Sequence, residues 1–194
     1  DYRESNTRFL LVNNNWSGLV MDASAENIQR IVNDLVYWAH DIKVARAFVT
    51  RDNINDLLRE NGVTGEIGLL SIDIDGNDFW IWRAIEVITP IIVVIEYNHR
   101  FGQQAAVTIA YKEKFDRTKT AHAPIYFGAS LQALCWLAHR KGYVFVGCSS
   151  NGVNAFFVRR DKLPQTIREL SPEEGYFAGK FSETFDENGI CIKR

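Results

Sequence analysis

At 194 residues, with 46% hydrophobic and 24% charged side chains, the chain has the balance of one globular domain able to bury a sizeable core. A formal net charge of -2 with no long basic run argues against a module held on nucleic-acid phosphates, and no apolar stretch reaches the ~18 residues that cross a bilayer. Three cysteines (Cys135, Cys148 and Cys191) are too few and too scattered for a disulfide framework or a zinc site, and DYRESNTRFL lacks the apolar centre of a signal peptide, so a cytoplasmic protein with reduced thiols is expected.

The elements alternate along the chain. Asn6 or Thr7 can cap a short helix that ends near Asn13, before the turn-rich NNNWSG. Gly18 to Asp22 reads as a strand. Ser24 then caps a helix predicted to run to about His40, with Ile28, Ile31, Val32 and Leu35 on one face. A weaker strand follows over residues 42–49. Thr50 or Asp52 opens a helix closed by Asn61-Gly62. Residues 67–74 make the strongest strand, residues 77–87 a helix, and Pro90 a break ahead of a strand over residues 91–96. Residues 97–127 are long, polar and aromatic, with little periodicity. A segment of that kind is functional, such as a lid carrying Tyr111, His122, Tyr126 and Phe127, or a mobile surface loop. An amphipathic helix over residues 130–141 precedes two strands, 143–148 and 155–159, which Asn151-Gly152 joins as an antiparallel hairpin. The polar remainder from Pro164 reads as a peripheral tail.

These signals predict an α/β fold, a Rossmann-like three-layer sandwich. Its sheet is expected to be mostly parallel, with a C-terminal antiparallel hairpin strand. One domain over residues 1–163 and a tail over residues 164–194 are expected.

Two apolar runs end abruptly in acid: LLSIDIDGNDF from Leu69 and IIVVIEYN from Ile91. Strands of this sort are buried on both faces, and ligands of open α/β sheets bind beyond the carboxyl ends of the strands. Asp73, Asp75 and Glu96 are therefore expected to cluster there. The DIDGND segment is not an EF-hand loop, because its glycine is fourth and position twelve is Ala84. It reads as a strand-to-helix turn in which Gly76 supplies a positive φ or close approach of a ligand, and Asn77 or Asp78 caps the helix. Glu96, Asn98, His99 and Asp73 could bind Mg²⁺ or supply a general base. Asp22, at the end of its strand, either accepts ribose hydroxyls or caps the next helix. No glycine-rich cofactor loop follows any strand. A first strand carrying such a loop is expected ahead of Asp1.

LLSIDIDGNDFWIWRAI followed by PIIVVIEYN resembles the acidic signature of the FkbM-type, class I S-adenosylmethionine-dependent methyltransferases. WSGLVMDAS resembles that family's second strand, and YFGASLQALCWLAHRKGYVFVG with NAFFVRRD its closing helix and hairpin. The resemblance implies a seven-stranded sheet with one antiparallel strand, S-adenosyl-L-methionine as cofactor and a small-molecule or glycan acceptor. It places Asp22 and Ala23 at the ribose and Thr50 near the adenine. Asp73 and Asp75 would stand toward the methionine end or the substrate, with Asp73, Glu96 and His99 as candidate bases. A non-catalytic interaction domain and a Mg²⁺-dependent hydrolase using Asp73, Asp75 and Glu96 are the competing readings. Neither nucleic acid nor membrane is expected as a partner.

Overall fold

The computed structural model describes residues 5–119, 125–179, 184–185 and 191–192. It is an α/β fold whose chain forms two compact units, residues 1–67 with 84–89 and residues 68–83 with 90–194. The chain therefore does not divide at residue 163, where the sequence placed a domain boundary.

In the first unit, α1 (Arg8–Asn14) stops at Asn15, which adopts a left-handed conformation. β1 (Gly18–Asp22) runs parallel to β2 (Ile42–Arg46), with Asp22 opposite Arg46. The single helix expected between them is two. α2 (Ala25–Val32) is capped by Ser24, and α3 (Leu35–Ala39) restarts at Asp34, whose extended backbone and carboxylate bond to the Val36 N–H (2.7 Å) make a new N-cap. An Asn-Asp pair competes locally with helix continuation, and that competition overrides the apolar stripe. α4 (Ile54–Glu60) follows a reciprocal pair of bonds: Asn53 Oδ1 accepts from the Thr50 N–H, and Thr50 Oγ1 accepts from the Asn53 N–H. Asn55 then fastens this helix to the segment before the fourth strand. Its amide donates to the Ala84 carbonyl (2.8 Å) and accepts from the Glu86 N–H (2.9 Å). Ile54, Leu58, Ile85 and Ile88 are the buried apolar residues here.

β3 (Gly65–Ile72), α5 (Asp78–Ala84) and β4 (Ile88–Glu96) form the next strand–helix–strand passage. α6 (Leu131–Arg140), β5 (Tyr143–Cys148) and β6 (Asn154–Arg159) complete a four-stranded sheet in the order β3-β4-β6-β5. β6 is antiparallel to both of its neighbours, so β5 runs in the direction of β4. This sheet is mixed rather than mostly parallel, and β1 and β2 form a separate two-stranded sheet. The cause of the mixture is the tight Ser149–Val153 turn. Gly152 takes a positive φ of 74° and Ser149 Oγ accepts from the Asn154 N–H (2.9 Å), returning β6 between β5 and β4.

β4 is the buried axis of the second unit. Val93, Val94 and Ile95 are at most 1% exposed, and Leu131, Leu134, Phe157 and Trp82 are equally enclosed. Trp82 meets the Tyr143 and Phe157 rings at 5.8 and 5.1 Å. Pro90 does not break the chain ahead of β4 but lies within it. Its carbonyl accepts a 2.6 Å bond from the Tyr143 hydroxyl. Cys135 and Cys148 are free thiols pushed by burial to about 12 and about 11, so both stay protonated at neutral pH.

Past residue 163 the described chain is docked rather than peripheral. The Leu170 N–H donates to the Phe145 carbonyl, and α7 (Pro172–Gly175) opens on a complete capping box between Ser171 and Glu174. Gly175 touches the Phe145 ring so closely that a Cβ would sit 2.4 Å from Cε1. β7 (Thr184–Phe185) and β8 (Cys191–Ile192) pair antiparallel.

Candidate functional site

The turn from β3 into α5 is organised by Asp78, the first residue of the helix. It is wholly buried, with one carboxylate oxygen accepting from the Ile74 N–H and the other from the Gly76 N–H, each at 2.9 Å. The chain accordingly curls around this one side chain. Asp75 takes the left-handed conformation (φ 58°), and Gly76 does not. The glycine is required by close approach instead: a Cβ at residue 76 would lie 2.3 Å from the Phe115 ring. The approaching group is thus an aromatic ring of the chain.

At the end of the adjacent strand, Glu96 completes a cluster. Asp73, Asp78 and Glu96 each offer an oxygen, and the three oxygens lie within 4.8 Å of one another. Glu96 Oε2 is buried without a hydrogen-bond partner among the described residues. Burial, followed by the charges of Asp78, Asp73 and Asp75, pushes the Glu96 carboxyl up to about 9, with the Arg117 guanidinium opposing. Burial also raises Asp78 to about 6, against the pull of its backbone hydrogen bonds. At neutral pH the cluster therefore contains a neutral Glu96 carboxylic acid next to an ionised Asp78. Such a group can donate a hydrogen bond to a ligand oxygen, or exchange its proton for a cation that the three oxygens could share.

Arg117, absent from the sequence-based site, supplies the local positive charge. Its guanidinium lies 4.0 Å above the Phe127 ring centroid and 3.3 Å from an Asp75 oxygen. Asp75 turns outward, its side chain 74% exposed, and is not one of the three clustered acids.

No protein-family model, curated protein or solved structure matches this chain.

The other expected site residues have defined local tasks. Asp22 closes the turn into α2, one oxygen accepting from the Ser24 N–H (2.7 Å) and the other from the Asn27 amide (2.9 Å). The Ala23 carbonyl accepts from Arg46 Nε. Thr50 is buried and its hydroxyl accepts from the Asn53 N–H just ahead of α4. These three residues belong to the first unit, whereas Asp73, Asp78, Glu96 and His99 belong to the second. Asn98 is fully buried, and its amide donates to the Ile125 and Phe127 carbonyls, so it pins the following segment instead of facing a ligand. His99 stands apart from the acid cluster, with its carbonyl accepting from the Tyr176 hydroxyl.

The described part of the expected lid is well anchored. Asn77 donates to the Lys112 carbonyl, Trp80 Nε1 to that of Ile109, and the Gly128 N–H to that of Gly76. Phe127 is buried, Tyr111 meets the Trp80 ring at 6.3 Å, and Tyr126 meets Phe115 at 6.4 Å. His122 lies outside the described residues. No helix among the described residues is long and apolar enough to cross a membrane.

Proposed function

We propose that this chain is a methyltransferase domain of the FkbM-type, class I kind, using S-adenosyl-L-methionine to methylate an oxygen of a small molecule or glycan. The observation that carries the reading is the grouping of acids at the carboxyl ends of β3 and β4, in a sheet of order β3-β4-β6-β5 whose β6 runs antiparallel to both of its neighbours. Of the seven-stranded sheet with one antiparallel strand that the resemblance implies, the four-stranded sheet shares the antiparallel strand, and ligands of α/β sheets sit beyond the carboxyl ends of the strands.

The residues fit the cofactor in part. Each Asp22 oxygen accepts one hydrogen bond and a carboxylate has about four acceptor sites, so ribose hydroxyls can still be received there. The Thr50 hydroxyl accepts one bond, from the Asn53 N–H, and keeps its own O–H to donate. S-adenosyl-L-methionine, when bound, supplies an electrophilic methyl group for in-line transfer. The chain's own work is to align the acceptor, to exclude water and, where the acceptor is a hydroxyl, to take its proton. Glu96 can take that proton only after losing its own, so transfer that depends on Glu96 speeds up as pH rises toward about 9.

A second reading, a non-catalytic methyltransferase-like domain used for protein contact, draws on α3. Its Leu35 and Trp38 are 83% and 75% exposed, and exposed large apolar side chains of this kind favour a binding surface. Calorimetric titration with S-adenosylhomocysteine, with and without Mg²⁺, separates the readings. Micromolar binding of the nucleoside is the expected result. No binding at millimolar ligand would favour the contact domain, and binding of Mg²⁺ alone would favour a Mg²⁺-dependent hydrolase using Asp73, Asp78 and Glu96.

A further inference from the structure

We propose that residues 176–179 form a latch over the imidazole of His99, and that the latch must lift before His99 can meet a ligand. The inference concerns access to His99 and holds whatever chemistry the acid cluster performs.

Two features fix the base of the latch. α7 is locked by its capping box, and Gly175 lies flush against the Phe145 ring. Beyond this helix the chain runs to the end of β4. The Tyr176 hydroxyl donates to the His99 carbonyl at 2.7 Å, and the Tyr97 hydroxyl donates to the Phe177 carbonyl. The Tyr97 and Tyr176 rings meet edge to face at 6.2 Å.

Gly179 makes the cover. A Cβ at residue 179 would lie 2.3 Å from His99 Cε1, 2.4 Å from Nδ1 and 2.7 Å from Nε2. The bare backbone of Gly179 therefore rests on the edge of the ring that carries both nitrogens. The β5–β6 turn backs it from another direction: a Cβ on Gly152 would come within 2.6 Å of Gly179 Cα and N. With glycine at both positions, turn, strap and imidazole can stack with no side chain between them.

The same segment has little to hold it down. Phe177 is 45% exposed and Ala178 is exposed, so neither anchors the strap in the core. Among the described residues its grip is two hydroxyl–carbonyl bonds, each worth about 1 kcal/mol net, and a backbone hydrogen bond of Phe177 to the Cys148 thiol. Segments with few buried apolar contacts open at low cost while the rest of a domain stays folded. The strap is thus tight enough to cover His99 and weak enough to release it.

The test is site-resolved carbethoxylation of histidines by diethyl pyrocarbonate, read by peptide mass spectrometry on the full chain. His139, exposed on α6, is the internal reference. His99 should react about tenfold more slowly than His139. Y176F removes one bond of the latch, and G179A forces the strap off the ring. Each should speed His99 modification by roughly threefold to tenfold, as expected for about one hydrogen bond, and leave His139 unchanged. Near-UV circular dichroism checks that each variant is folded, and if one is not, the other decides. Equal rates for His99 and His139 in the unaltered chain would overturn the proposal. So would an unchanged His99 rate in a folded variant.

Discussion

Replacing Glu96 by Gln is expected to stabilise the chain at about pH 8 by roughly 2–4 kcal/mol and to flatten its stability profile across alkaline pH. The sign follows from where the proton sits. Unfolded, the Glu96 carboxyl ionises near 4.5; folded, it holds its proton up to about 9. Between these values the native state binds one more proton than the unfolded state, so each rise in pH favours unfolding. The stability linked to Glu96 is complete below about 4.5 and is lost progressively as pH climbs to about 9. Asp78 adds a smaller loss of the same sign between 3.8 and about 6. Glutamine occupies the volume of a neutral carboxyl and cannot ionise. Its amide can also donate where Asp73 and Asp78 offer acceptors. Urea unfolding midpoints measured from about pH 6 to about pH 9, above the range in which Asp78 titrates, should fall for the unaltered chain and stay nearly level for E96Q. Parallel profiles for the two proteins would show that Glu96 does not hold a proton in the folded state.

The second large effect is expected at Asp78. Asp78→Ala leaves the Ile74 and Gly76 N–H groups facing a protein interior with no acceptor, at about 1–3 kcal/mol each. Part of this is returned, because a buried carboxylate beside Asp73 and Glu96 is also removed. The net expectation is a loss of about 2–4 kcal/mol in chemical denaturation. Asp78→Asn, with one acceptor in place of two, should lose about half as much. Because the turn no longer has a centre, Asp73 and Asp75 would also lose their placement. Asp78→Ala should therefore weaken ligand binding more than a substitution at the outward-facing Asp75. A D78A protein within about 0.5 kcal/mol of the unaltered chain would mean that the turn holds itself without this carboxylate.

Much of this arrangement is legible in the residues. The runs ending at Ile72 and Glu96 are strands because they are apolar throughout, and their acidic ends mark the rim. Asn151-Gly152 announces its hairpin. Local pattern fails where a distant partner decides. Pro90 reads as a break until the Tyr143 hydroxyl is seen bound to its carbonyl. Gly76 reads as a ligand-contact glycine until Phe115 is found beside it, thirty-nine positions later in the chain. Asp78 reads as a cap, and only its enclosure shows that it centres the turn. The acidity of Asp78 and Glu96 becomes unusual through burial, a quantity that short spacings do not carry. Strand pairing is similarly invisible: nothing in GLVMD or GEIGLLSI says that β1 and β3 belong to different sheets. Helix α3 is the converse case, where a local signal, Asn33-Asp34, was present and the apolar periodicity masked it.

The carboxyl cluster is defined by the proton on Glu96. Glutamate labelled with ¹³C at the side-chain carboxyl, with the Glu96 signal assigned by its absence from E96Q, can be titrated by carbon-detected magnetic resonance. The carboxyl of Glu96 should be protonated at neutral pH and titrate near 9. A Glu96 signal that titrates near 4.5 would contradict the carboxyl cluster and remove the site built on it.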